Sequence, residues 1–132
     1  NQRAYFEKCK KEAGANVQFI GRLEYEELSY YYLESEIHVL PSWFETTGLS
    51  SLEAAFFGCK IVVTRMGDTQ DYFEDMVHYC HPRSTLSIRK AIDTAHANPV
   101  DLRLKEKIIT AYNWKNTAEQ TKCVYAQITA EK

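Results

Sequence analysis

Glu45 and Glu53 frame a segment, Glu45-Thr46-Thr47-Gly48-Leu49-Ser50-Ser51-Leu52-Glu53-Ala54-Ala55, whose residue types suit a ligand-binding turn. An apolar run from Ile37 to Leu40 precedes it and is stopped by Pro41-Ser42, while Leu49, Leu52, Ala55 and Phe56 recur after Gly48 at helical spacing. The pattern predicts strand, loop, helix, with Glu45 on the loop and Glu53 inside the helix. Gly48 lets the backbone turn tightly, or a ligand come close, where the unpaired amides of a first helical turn point outward, and such amides suit a phosphate. Glu45 is then placed to accept hydrogen bonds from hydroxyls beside the phosphate, and Glu53 to hold a second hydroxyl pair farther away. Phosphate with polyol on both sides describes a nucleotide sugar. A plainer alternative stays open: Gly48 only shapes a connection, Glu45 favours the helix dipole and Glu53 is solvated.

The elements that must position these groups are legible along the chain. A helix-like stretch from Tyr5 to Ala13 ends at Gly14, and Val17-Gln18-Phe19-Ile20 reads as a short strand stopped by Gly21. Glu24, Glu26 and Glu27 crowd the start of a second helix, where negative charge suits the dipole. Ile37 to Leu40 is the next strand, Leu49 to Phe57 a helix closed by Gly58, and Lys60 to Thr64 a strand with the β-branched run of a sheet covered on both faces. A short helix is expected from Asp71 to Glu74 and a last strand from Val77 to Cys80. Ser84 or Thr85 caps a helix through Ala97, Pro99 opens another, and Asn113 caps a final one from Trp114 to about Ala130. Alternating strands and helices with a helical end predict an open, doubly wound α/β sheet whose ligands lie beyond the carboxyl ends of the strands. Gly21, Ser42 to Gly48 and Arg65 to Asp68 all fall on that edge.

The 132 residues amount to one domain, and 45 % hydrophobic with 26 % charged residues argues against disorder. A net charge of −2 gives no electrostatic case for nucleic acid or an anionic membrane as the main partner. Cys9, Cys59, Cys80 and Cys123 are scattered without paired spacing and are expected reduced, in a cytosolic compartment. Among His38, His78, His81 and His96 the close pair has strand spacing rather than that of a zinc protease, so no metal site is expected. No apolar run approaches the roughly 20 residues of a membrane span, and the first residues do not form a signal peptide. The chain reads as an excised piece that opens on a helix. Tyr25, Tyr30, Tyr31 and Tyr32 are expected to be core and interface rather than a stacking platform, whereas Trp43 either walls the pocket or simply packs.

Several of these segments, in this order, resemble the C-terminal, donor-binding domain of the retaining glycosyltransferases of the GT-B fold, in the large family often numbered four. Val17-Gln18-Phe19-Ile20-Gly21 resembles that family's strand ending in Gly, and Glu26-Glu27-Leu28 the helix that follows. Pro41-Ser42, Glu45, Gly48-Leu49 and Leu52-Glu53-Ala54 are similar to its Glu-x7-Glu signature, Ile61-Val62-Val63-Thr64 to its next strand, and Asn113-Trp114 to the aromatic start of its closing helix. The resemblance runs from about Val17 to Tyr125. It implies a Rossmann-like doubly wound parallel sheet with helices on both faces, residues 1–132 being part of the nucleotide-sugar-binding domain without its first strand or the N-terminal acceptor domain.

The resemblance also implies roles. Glu45 contacts donor-sugar hydroxyls and is the catalytic group in the sense of positioning the sugar, Glu53 takes the ribose hydroxyls, backbone amides around Thr47, Gly48 and Leu49 meet the diphosphate, and Arg22 and Leu23 lie near the base. No metal or cofactor is required. The acceptor, such as a growing polysaccharide or glycolipid, is held mainly by the missing domain and attacks the face that the leaving group vacates, with a phosphate oxygen as base. The full-length protein is expected in the cytoplasm, with peripheral membrane association allowed at the inner face, and this chain alone is expected to fold without turning over. Three departures stand out: the basic pair that neutralises the diphosphate lies upstream of this chain, Met66-Gly67-Asp68-Thr69-Gln70 replaces Gly-Gly-x-Pro-Glu, and Lys60 stands where Pro is common. Two rivals are a non-catalytic nucleotide-sugar-binding module and a nucleotide-sugar epimerase of the same fold.

Overall fold

Ile61, Val62, Val63 and Thr64 are all buried, as a strand with protein on both faces requires. They form the centre of a sheet in the computed structural model, which describes residues 2–130. The elements in chain order are α1 (Gln2–Glu12), α2 (Tyr25–Glu34), β1 (Ile37–Leu40), α3 (Leu49–Phe57), β2 (Lys60–Thr64), α4 (Thr69–Phe73), β3 (His78–Cys80), α5 (Thr85–Ala97), α6 (Leu102–Ala111) and α7 (Trp114–Ala130). The strands lie in the order β1-β2-β3, all parallel, with Leu40 opposite Val63 and Thr64 opposite Cys80.

Alternation along β2 divides the core into two layers. Ile61 and Val63 face Leu52, Ala55, Phe73, Leu104 and Ile108, so α3, α4 and α6 cover one side. Val62 faces the other way, onto Cys80, Ala91 and Ala95 with Ile37, Ile88 and Ile92 around them, so α5 covers the second side. Each fully buried Ile, Val or Phe contributes about 1.5–3 kcal/mol. The doubly wound parallel sheet with helices on both faces is therefore present.

Local chemistry sets the helix starts. Glu24 and Glu27 form a reciprocal capping box on α2, the Glu24 amide donating to Glu27 Oε2 at 3.1 Å. Ser84 Oγ accepts from the Ser87 amide at the start of α5, and Asn113 Oδ1 from the Asn116 amide at the start of α7. Pro99 does not open α6; Asp101 does, because its carboxylate accepts from the Arg103 amide at 3.0 Å, which proline's fixed ring cannot offer. The short fourth helix begins at Thr69, ahead of the expected Asp71.

Val17 to Ile20 is not a strand. A strand exists only through ladder pairing, and no described segment pairs with these residues; Phe19 instead meets Phe6 of α1 edge-on at 5.6 Å, leaving Val17 and Ile20 exposed. The tyrosines also divide unequally, since Tyr32 is buried while Tyr25, Tyr30 and Tyr31 are exposed.

His38 stands on β1 with its ring against Tyr32, and burial lowers its pKa while Nε2 has no hydrogen-bond partner among the described residues. A base whose folded pKa is depressed contributes stability that is present above its unfolded pKa, about 6.5, and lost as pH falls through the folded value. Urea unfolding at pH 7.5 and 5 should therefore show a larger acid loss for the native chain than for His38→Phe, with the remainder shared by His78, which burial also lowers. Equal losses in the two proteins would contradict the assignment.

Candidate functional site

Beyond the ends of β1 and β2 the backbone keeps pairing. The Glu45 amide donates to the Met66 carbonyl at 3.1 Å, and the Asp68 amide donates to the Glu45 carbonyl at 3.0 Å, an isolated parallel bridge between Glu45 and Gly67. The 65–69 loop is itself anchored from below. Buried Thr64 accepts from the Met66 amide at 3.2 Å, and buried Thr69 donates to the Thr64 carbonyl at 2.8 Å. Both backbone groups of Glu45 are thus committed, while its half-buried carboxylate makes no hydrogen bond or ion pair among the described residues. The residue is thus anchored through its backbone, and its carboxylate is open to accept from a ligand.

Gly67 makes this approach possible, because a Cβ there would overlap the Glu45 carbonyl oxygen. Gly48 acts differently. It is the N-cap of α3 with φ 65°, and a Cβ there would touch the Phe73 ring at 3.6 Å, which is ordinary contact. Glycine is needed at this position for the left-handed backbone that turns the chain into the helix, and the direction of its missing side chain is inward. The amides of Ser51 and Leu52 donate back to the Gly48 carbonyl, at 2.9 and 3.1 Å. No side chain caps the helix, which leaves the first amides facing outward with the positive end of the dipole. Close beneath, Ser51 Oγ is fully buried without a hydrogen-bond partner among the described residues.

Glu53 lies farther along α3 and lines a cavity of about 710 Å³ together with Thr47, Leu49, Tyr25, Phe56 and Trp114. Its Oε2 accepts from the Tyr32 hydroxyl at 3.4 Å, and burial, then the carboxylate's charge, push the Tyr32 pKa up to about 12. Leu23 lines a second cavity of about 330 Å³, with Gly21, Tyr32 and His38. Three of the expected site residues, Thr47, Leu49 and Glu53, therefore share one cavity. Glu45 stands at the Gly67 bridge and lines neither cavity, Leu23 lines the smaller cavity together with Tyr32, and Arg22 is exposed on the loop before α2. Two cations occupy the same edge of the sheet, Arg65 at 4.8 Å over the Tyr79 ring and Arg83 at 5.1 Å over exposed Trp43.

The profile of the family described as Glycosyl transferases group 1 matches residues 1–119. The chain belongs to that family. Group 1 relatives include proteins of quite different names: one subunit of the human phosphatidylinositol N-acetylglucosaminyltransferase is 26 % identical over 122 residues, 87 % of this chain and 25 % of that protein. Glycogen synthase of Mycobacterium tuberculosis is 27 % identical over 118 residues, 82 % of this chain and 28 % of that protein. A solved structure of sucrose-phosphate synthase from Thermosynechococcus elongatus matches 99 % of this chain and 35 % of its own with a TM-score of 0.84 at 24 % identity, which shows the shared GT-B fold. The chain spans about a quarter to a third of the length of these proteins.

In this group 1 family member, two contributors carry no assigned role in the sequence reading. Tyr32 carries no polar signal apart from its hydroxyl, and Gly67 reads only as one residue of a turn at the ligand edge of the sheet. The two glycines give a measurable contrast. Gly48→Ala should cost about 1–2 kcal/mol in urea unfolding, the left-handed strain alone, whereas Gly67→Ala should cost about 2–5 kcal/mol because the Glu45 bridge must also move. The opposite order would show that the bridge does not constrain the loop.

Proposed function

We propose that this chain is the donor-binding domain of a retaining glycosyltransferase that takes its sugar from a nucleotide diphosphate. The observation that carries the reading is the placement of two carboxylates on either side of an uncapped helix start, Glu45 on the bridged loop and Glu53 in the cavity beside Thr47 and Leu49. In this reading the amides of Thr47, Gly48 and Leu49 receive the diphosphate, Glu45 orients the hydroxyls of the transferred sugar, Glu53 accepts from the ribose, and the base lies toward Arg22 and Leu23. Departure of the nucleotide builds negative charge on phosphate, and oriented amides at a helix start stabilise that charge without reorganising. The acceptor, a growing polysaccharide or a glycolipid, approaches the face that the nucleotide leaves, a phosphate oxygen takes its proton, and a separate acceptor domain orients it. The scheme calls on no metal or other cofactor.

Membrane contact, where it occurs, is peripheral in this proposal; among the described residues no helix is long and apolar enough to cross a bilayer.

The two carboxylates should separate by assay. Glu53→Gln in the intact protein should weaken the nucleotide diphosphate itself by about 10- to 100-fold, since a hydrogen bond to a charged group contributes about 1.5–3 kcal/mol. Glu45→Gln should depress sugar transfer far more than nucleotide affinity. Calorimetry that finds full affinity in Glu53→Gln removes it from the ribose role, and equal losses of transfer and nucleotide affinity in Glu45→Gln remove it from the sugar. Nucleotide-sugar binding by an intact protein that transfers to no acceptor would favour the non-catalytic module.

A further inference from the structure

We infer that Tyr32 is a positioning residue for Glu53, holding the carboxylate in the orientation that receives a ribose diol. The inference rests on the ribose role proposed for Glu53. A carboxylate that accepts from two adjacent hydroxyls must present both oxygens in one plane, yet the terminal torsion of a glutamate is broad and has no strong preference of its own. Something must select the orientation. Among the described residues the only hydrogen bond to the Glu53 carboxylate comes from the Tyr32 hydroxyl, which takes Oε2 and leaves Oε1 without a partner on a residue that lines the cavity.

Tyr32 is itself immobilised. Its ring stacks on Phe57 at 6.0 Å and 24° and meets His38 at 5.9 Å, and its carbonyl accepts from Cys59 Sγ at 3.1 Å. At 7 % exposure it sits in the core among apolar side chains, where phenylalanine would fill the same volume without a hydroxyl to satisfy. Tyr30 and Tyr31, its neighbours on α2, keep their rings at the surface. The hydroxyl is therefore the unusual part of this residue, and it is directed at Glu53. Its raised pKa keeps it protonated, hence a donor, across the physiological range. At 3.4 Å the contact is long for a hydroxyl on a carboxylate and has room to shorten once a ligand takes the remaining lone pairs.

Tyr32 also lines the cavity with Leu23 and Gly21, while its hydroxyl reaches Glu53, which lines the other cavity with Thr47. A nucleoside whose base lies toward Leu23 has its ribose beside this ring.

Calorimetry on the intact protein with uridine, guanosine and adenosine diphosphates, and with the 2′-deoxy form of whichever binds, tests the assignment. Tyr32→Phe should weaken the ribonucleotide by about five- to tenfold. The deoxynucleotide should be unaffected, so the preference for ribose falls, while thermal unfolding shows a folded variant. Glu53→Gln should abolish the preference, and the double variant should be no worse than Glu53→Gln alone. A purely structural Tyr32 would weaken both nucleotides equally. Preference lost in Glu53→Gln but kept in Tyr32→Phe overturns the positioning role, whereas preference kept in Glu53→Gln, or no binding of any of the three diphosphates, overturns the ribose reading and this inference with it. Should Tyr32→Phe fail to fold, tyrosine labelled with carbon-13 at Cζ gives a second readout: Glu53→Gln should shift the resonance of a buried tyrosine, and unchanged tyrosine spectra would sink the idea.

Discussion

Two backbone hydrogen bonds, from the Glu45 amide to Met66 and from the Asp68 amide to Glu45, tie the loop after β1 to the loop after β2. The rest of the site depends on that tie. It extends the parallel pairing of Leu40 with Val63 past the ends of both strands, so the loop that carries Glu45 inherits the rigidity of the sheet. Gly67 allows the two backbones to come this close, and Thr64 and Thr69, both fully buried, brace the second loop from the core side. A loop of this length left in water would sample many conformations, and ordering it would cost about 1–2 kcal/mol for each residue fixed at the moment of binding. Here most of that ordering is complete beforehand.

The same tie delivers the chain to Gly48 in the direction needed to begin α3. With no side-chain hydrogen bond to its first amides, the helix has its positive end at Gly48, between Glu45 and Glu53 along the chain. An arrangement with acids on both sides and donors in the middle suits a ligand whose centre is anionic and whose flanks carry hydroxyls. The acids then have different supports. Glu45 is positioned through its backbone, whereas Glu53 is positioned through its side chain, by Tyr32.

How much of this could be read from the sequence follows from the range over which each feature is determined. The buried run Ile61 to Thr64, the periodic helix Leu49 to Phe57 and the caps at Ser84 and Asn113 are local, and each lies where spacing and residue type put it. Val17 to Ile20 has equally strong strand composition and is not a strand, because pairing depends on a neighbour rather than on the segment itself. Gly67 is required by a carbonyl in a different loop, and the Tyr32 hydroxyl by a carboxylate 21 residues away. Such requirements leave only an ordinary Gly or Tyr in the sequence. The reason for Gly48 was likewise hidden: spacing marked the turn, but only the backbone angle distinguishes a conformational demand from a need for space.

In the proposed function the amides at the start of α3 seat the diphosphate. Amide chemical-shift mapping of nitrogen-15-labelled protein, titrated with a nucleoside diphosphate, tests it without relying on turnover. The largest shifts are expected at Thr47, Gly48 and Leu49, with Gly67 following through its bridge to Glu45. Shifts confined to the opposite end of the sheet, around Lys60 and the Asn98 to Arg103 cavity, would contradict it.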